Sequence, residues 1–172
     1  MKLFFGLGNP GKKYENTRHN LGQILINHLA KKYDFKFSHK NKLLSLVGES
    51  SKNIFAISTQ YMNLSGTSVQ KVAAFYKISP QNIYLVHDDL DLPVGEWKLQ
   101  FDRGPAGHNG VISTTENLGT QAFWRIRIGV NHPTNNIPVE DYVLRPFTSD
   151  EKKLISTVID TITSEIDKIL GS

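Results

Sequence analysis

Three histidines stand beside turns and other polar groups: His19 in Thr17-Arg18-His19-Asn20, His87 in His87-Asp88-Asp89-Leu90-Asp91, and His108 in Gly107-His108-Asn109-Gly110. An imidazole so placed can take or give a proton near neutral pH, so each is a candidate for acid–base chemistry. The other three, His28, His39 and His132, fall on a helix face or in polar loops and receive no role. Asp88, Asp89 and Asp91 could serve a hard cation, since clustered carboxylates suit one. Their spacing matches no calcium loop, however, and no His-Glu-x-x-His helix occurs, so no metal is expected. A serine nucleophile is not expected either. Leu64-Ser65-Gly66 lacks the first glycine of a G-x-S-x-G elbow, and Ser65 reads as a helix cap. What remains is general-base catalysis by histidine and aspartate, with asparagine amides as polar positioners.

Gly6-Leu7-Gly8-Asn9-Pro10-Gly11 matches the dinucleotide pattern G-x-G-x-x-G. In that fold the glycines open directly into a helix whose N-terminus faces the pyrophosphate. Here helical periodicity begins only near Leu21, so the context argues against a nucleotide. A tight turn after a strand explains the glycines and leaves Asn9 without a role.

The elements that must hold these groups follow from periodicity. Leu3 to Leu7 is a continuous apolar run, as in a central strand covered on both faces. Leu21, Ile24, Leu25, His28 and Leu29 fall at helical spacing, with Asn20 and Gln23 placed as an N-cap and its capping-box partner. Leu43 to Val47 and Ile54 to Ile57 predict a hairpin with a longer loop, and Ser65 to Tyr76 a helix that stops before Ser79-Pro80. Ile83 to Val86 predicts a buried strand carrying the aspartate cluster at its downstream end, where α/β sites usually lie. Glu96 to Phe101 and Ile126 to Val130 alternate as strands around the glycine-rich loop Gly104 to Gly110. Thr148 and Glu151 form a second capping box before a long amphipathic helix through Ile155, Ile162 and Ile169. Interleaved strands and helices predict a mixed α/β sheet covered by helices.

The 172 residues and 39% hydrophobic content suit one core rather than two. The absence of cysteine removes disulfides, thiolate nucleophiles and zinc ribbons, and fits a reducing cytosol. No apolar run is long enough to span a membrane or serve as a signal segment. A net charge of +4 favours a polyanionic partner without requiring one.

Five blocks, in this order, resemble the bacterial peptidyl-tRNA hydrolase family: Gly6 to Gly11 with Tyr14; Thr17-Arg18-His19-Asn20; Met62-Asn63-Leu64-Ser65-Gly66; His87 to Pro93; and Gly107-His108-Asn109-Gly110 followed by Arg127-Ile128-Gly129. The resemblance runs from Met1 to about Phe147. It implies a single α/β domain over residues 1–172, with a mixed, mostly parallel central sheet flanked by helices. It also implies a cytoplasmic, monomeric enzyme that cleaves the ester between a peptide and tRNA, with no cofactor, metal or obligate protein partner. His19 matches the catalytic base, Asp88 its carboxylate partner, and Asn9 the amide that distinguishes blocked from free aminoacyl groups. Tyr14, Tyr61, Asn63 and Asn109 match contacts to the 3′ end of tRNA, and Met62 and His108 join that substrate-binding set. Tyr61 replaces a phenylalanine common in relatives and keeps an aromatic face.

Arg127 matches an arginine that grips the tRNA 5′ phosphate, but Gln100 occupies its lysine partner's place, leaving Lys98 or Arg103 as substitutes. Ala106 replaces a loop glycine, Pro105 stiffens the same loop, and the terminal helix ends earlier than in many relatives. A binding-only RNA protein of the same fold is the rival reading, and a nucleotide-dependent oxidoreductase the third.

Overall fold

A computed structural model describes residues 1–171. The first strand, β1 (Leu3–Gly6), accounts for the uninterrupted apolar run. Side chains alternate between the faces of a strand. Phe4 packs into a cluster with Leu21, Leu25 and Ile162, while Leu3 and Phe5 pack into another with Val69, Val72 and Phe123. Both faces are covered, so every position is apolar.

The remaining elements are α1 (Leu21–Lys32), β2 (Ser38–Lys40), β3 (Ser45–Ser50), β4 (Asn53–Ser58), α2 (Ser65–Phe75), β5 (Ile83–Asp89), β6 (Trp97–Phe101), α3 (Asn109–Leu118), β7 (Trp124–Gly129), α4 (Val139–Val143) and α5 (Ser149–Gly171). The strands form one seven-stranded sheet in the order β2-β3-β4-β1-β5-β7-β6. Neighbours among β4, β1, β5 and β7 run parallel, and the outer pairings are antiparallel. Helices α1 and α5 supply one core cluster, and α2 and α3 the other. Each buried Leu, Ile or Phe contributes on the order of 1.5–3 kcal/mol.

Gly22 sets where the site can form. A Cβ there would lie 2.2 Å from the Val86 carbonyl oxygen and 2.6 Å from the Leu7 nitrogen, so only glycine lets α1 start against the ends of β1 and β5. That contact allows the Gln23 N–H to reach the Leu7 carbonyl at 3.2 Å and holds the preceding turn, with His19, beside β5.

Several local expectations change. Asn20 makes no cap; its side chain brackets the backbone of Asn9, accepting from its N–H at 2.8 Å and donating to its carbonyl at 2.9 Å. Ser65 caps no helix end either, because its hydroxyl donates back to the Met62 carbonyl. At α5 half of the capping box forms: the Glu151 N–H donates to Thr148 Oγ1 at 3.2 Å, but the Glu151 carboxylate turns to Arg18. The β3–β4 loop is only Ser51-Lys52, both with positive φ, so the strands continue into the expected longer loop. Gly11 leads into a short 3-10 turn and α1 begins only at Leu21, so no helix N-terminus receives a pyrophosphate at the glycine motif. Among the described residues, no helix is long and apolar enough to cross a membrane.

Candidate active site

Strand β5 runs three residues beyond the apolar stretch seen in the sequence and carries Asp88 to the mouth of the sheet. The Asp88 side chain is 2% exposed, a setting that disfavours a carboxylate unless it is paired. Two imidazoles pair with it. His19 Nδ1 lies 2.9 and 3.1 Å from its two oxygens, and His108 Nε2 lies 2.7 Å from Oδ1. Burial alone would raise the Asp88 pKa, but the two histidines hold it well below the usual carboxylate range. Burial would likewise lower His19, but the charge and hydrogen bonds of Asp88 leave it raised above 6.5.

The network fixes the proton positions. His108 is the N-cap of α3: its Nδ1 accepts from the N–H groups of Gly110 at 3.1 Å and Val111 at 3.4 Å. Nδ1 therefore carries a lone pair, and Nε2–H donates to Asp88. Asp88 also accepts from His19 Nδ1–H, which leaves His19 Nε2 bare and basic.

Asn9 is fixed in the same way. Asn20 holds its backbone, and its Oδ1 accepts the Met62 N–H at 2.8 Å. A backbone N–H needs an acceptor, so the Nδ2 amide is the end left to donate into the cavity. That cavity, about 710 Å³, is lined by Asn9, His19, Met62, Asp88, His108 and Asn109 among others. Tyr61, 55% exposed, and Asn63 also line it. Tyr14 does not; it stands edge-on to Tyr61 with ring centroids 6.4 Å apart.

The sequence model of the peptidyl-tRNA hydrolase family matches residues 3–172. The chain belongs to that family. A peptidyl-tRNA hydrolase of Rickettsia bellii is 44% identical over 99% of this chain and 94% of its own length. One from Geobacillus thermodenitrificans is 46% identical over 92% of this chain and 87% of its own. The crystal structure of peptidyl-tRNA hydrolase from Acinetobacter baumannii superposes with a TM-score of 0.94 at 33% identity, covering 99% of this chain and 89% of that one.

Arg127 stands apart from the other predicted site residues. Its side chain is 4% exposed; Nε donates to Asp89 Oδ2 and Nη1 to Gln100 Oε1, each at 2.7 Å. The expected phosphate grip thus meets a guanidinium already committed inward. Gln100 supplies the acceptor that a lysine in its place would lack. Lys98 is exposed and Arg103 half-buried.

Sequence reasoning missed Arg18 and the α4 segment. Arg18 pairs with both Glu151 oxygens at 2.9 and 3.0 Å, donates to the Tyr142 and Arg145 carbonyls, and lies 4.2 Å from the Tyr142 ring centroid. It thereby ties α5 and the segment bearing the cavity residues Val139, Val143 and Leu144 to the turn of His19. Its place beside His19 was the only signal. His87 lines the cavity edge-on to His108, with ring centroids 4.9 Å apart, but makes no hydrogen bond to the side chains of His19 or Asp88: Nδ1–H donates to the Asp88 carbonyl at 2.7 Å, and burial, then the electrostatic influence of His108, lower its pKa to about 3.

The ligand atoms of His19, Asp88 and His108 lie within 4.8 Å of one another, close enough to suggest a cation. The donor chemistry fits poorly. A metal on His108 Nε2 would displace its proton while two N–H groups occupy Nδ1, leaving an imidazolate or a broken helix cap.

Proposed function

We propose that this chain hydrolyses the ester joining a peptide, or an N-blocked aminoacyl group, to the 3′ end of tRNA. His19 Nε2 removes a proton from water, and the resulting hydroxide adds to the ester carbonyl. The Asn9 Nδ2 amide donates to the oxyanion that develops. Collapse breaks the ester bond, and the departing ribose oxygen takes the proton from His19. Asp88 orients the imidazole and stabilises its cationic form without itself becoming protonated. His108 positions Asp88 from the other side.

Tyr61, Met62, Asn63 and Asn109 hold the tRNA 3′ end at the cavity, with Tyr14 supporting Tyr61 edge-on. Phosphates of the tRNA body fall to Lys98 and Arg103, since Arg127 is engaged. The enzyme works as a cytoplasmic monomer with no cofactor or obligate protein partner. The observation that carries this reading is the bare His19 Nε2, its ring held on a buried carboxylate, in a cavity shared with the Asn9 amide.

Purified protein should release free tRNA from an N-acetyl-aminoacyl-tRNA far faster than from the same tRNA with a free amino group. Equal rates on both would remove the blocked-ester specificity. Tight tRNA binding with no turnover of either would leave a binding protein.

A further inference from the structure

Asn9 also lines a second groove, of about 640 Å³, bounded by α1 and by Leu46 of β3 and Ile57 of β4. That volume is in the range of cavities that enclose small ligands, about 300–1,000 Å³. Its polar lining is rich in side-chain amides: Asn9, Asn16, Gln23 and Asn27. Among the described residues, the Asn16, Asn27 and His28 side chains make no hydrogen bond, and Gln23 reaches only the Ser58 carbonyl, at 3.5 Å. Each side-chain amide offers both donors and an acceptor, the complement of a peptide backbone, which presents one of each per residue. Ile24, Leu46 and Ile57 add apolar surface between them. The charged groups in the lining are Glu15 and Lys31, one of each sign, a poor match for a phosphate backbone.

We propose that this groove receives the peptide part of the substrate, with the ester at His19, the first residue at Asn9 and the following residues along α1. The inference rests on the hydrolase reading and adds a place for the variable end of the substrate. Amide contacts to the backbone hold any sequence, as release of arbitrary peptides demands. The exposed Asn16 and Asn27 amides, which no protein group engages, are those the substrate's backbone meets.

The test is the ratio of kcat/KM for a tRNA carrying a longer peptide to that for an N-acetyl-aminoacyl-tRNA. Asn27→Trp fills the groove from an exposed helix position, and the paired Asn16→Ala and Asn27→Ala variant removes two of its four amides; an unchanged thermal midpoint confirms each fold. Both variants are expected to lower the ratio about 3- to 10-fold, the scale of one or two lost hydrogen bonds. A ratio equal to the parent's in both variants overturns the groove and leaves the hydrolase reading standing. Equal losses on both substrates, with an altered salt dependence, would place RNA there and also overturn it. If the parent cleaves neither substrate, the hydrolase reading falls and the groove with it.

Discussion

Asp88 and Asp89 are neighbours on β5, both buried and both held below the ordinary carboxylate pKa, yet they serve different ends. Asp88 faces two imidazoles, His19 and His108, at the wall of an open cavity. Asp89 faces Arg127, and its other oxygen accepts the Asp91 N–H at 2.8 Å. Burial opposes both charges; Arg127 and the Asp91 N–H outweigh it at Asp89 as the histidines do at Asp88. An imidazole can release its proton within the working pH range, whereas a guanidinium cannot. The first pair can therefore do chemistry, and the second holds the strand end that presents it.

The comparison breaks most sharply at His19. His19→Ala should lower turnover by about 10²–10⁴-fold or more, because the general base is gone. The fold should persist, since Asp88 keeps His108 at 2.7 Å. Near-normal turnover with intact circular dichroism would show that the base lies elsewhere.

On the Asp89 side, Arg127→Ala strands a buried carboxylate and should cost about 3–5 kcal/mol of stability, read by denaturant unfolding. Activity on full-length peptidyl-tRNA and on a minimal ester should fall together. A selective loss on the full-length substrate, with a shallower salt dependence, would return Arg127 to phosphate recognition.

The two sides also differ in pH behaviour. Because His19 must be neutral to accept a proton and its pKa is raised, the acid limb of kcat/KM should lie above 6.5. Asp88→Asn should slow turnover by about tenfold or more, less than His19→Ala, and move that limb to lower pH by removing the charge that raises His19. A limb that stays in place would detach Asp88 from the base. In stability the signs are opposite. The depressed Asp88 and Asp89 contribute above the unfolded carboxylate value of 3.8 and lose that contribution as pH falls through their folded values. The raised His19 contributes fully below 6.5 and loses its contribution as pH rises through its folded value. The smallest effect is expected from chelation. With Mg²⁺ controlled for tRNA folding, it should leave the rate unchanged, and loss reversed by one divalent ion would make the His19, Asp88 and His108 cluster a metal site.

The sequence by itself determined what local patterns can encode. Apolar runs and helical spacing placed β1, β5, α1 and α5, and their ends located His19, Asp88 and Asn9 at turns and strand termini. The tertiary structure decided which groups meet, because partners far apart in the chain leave no mark in local spacing. His19 and Asp88 are 69 residues apart, and Arg18 and Glu151 are 133 apart. Asn20 looked like a cap because the same amide can serve a helix end or a distant backbone, and packing at Gly22 brought Asn9 within its reach. The family resemblance assigns Arg127 to a phosphate, and local sequence shows its charge but not its burial. Placing Asp89 and Gln100 beside it in three dimensions turned that charge inward.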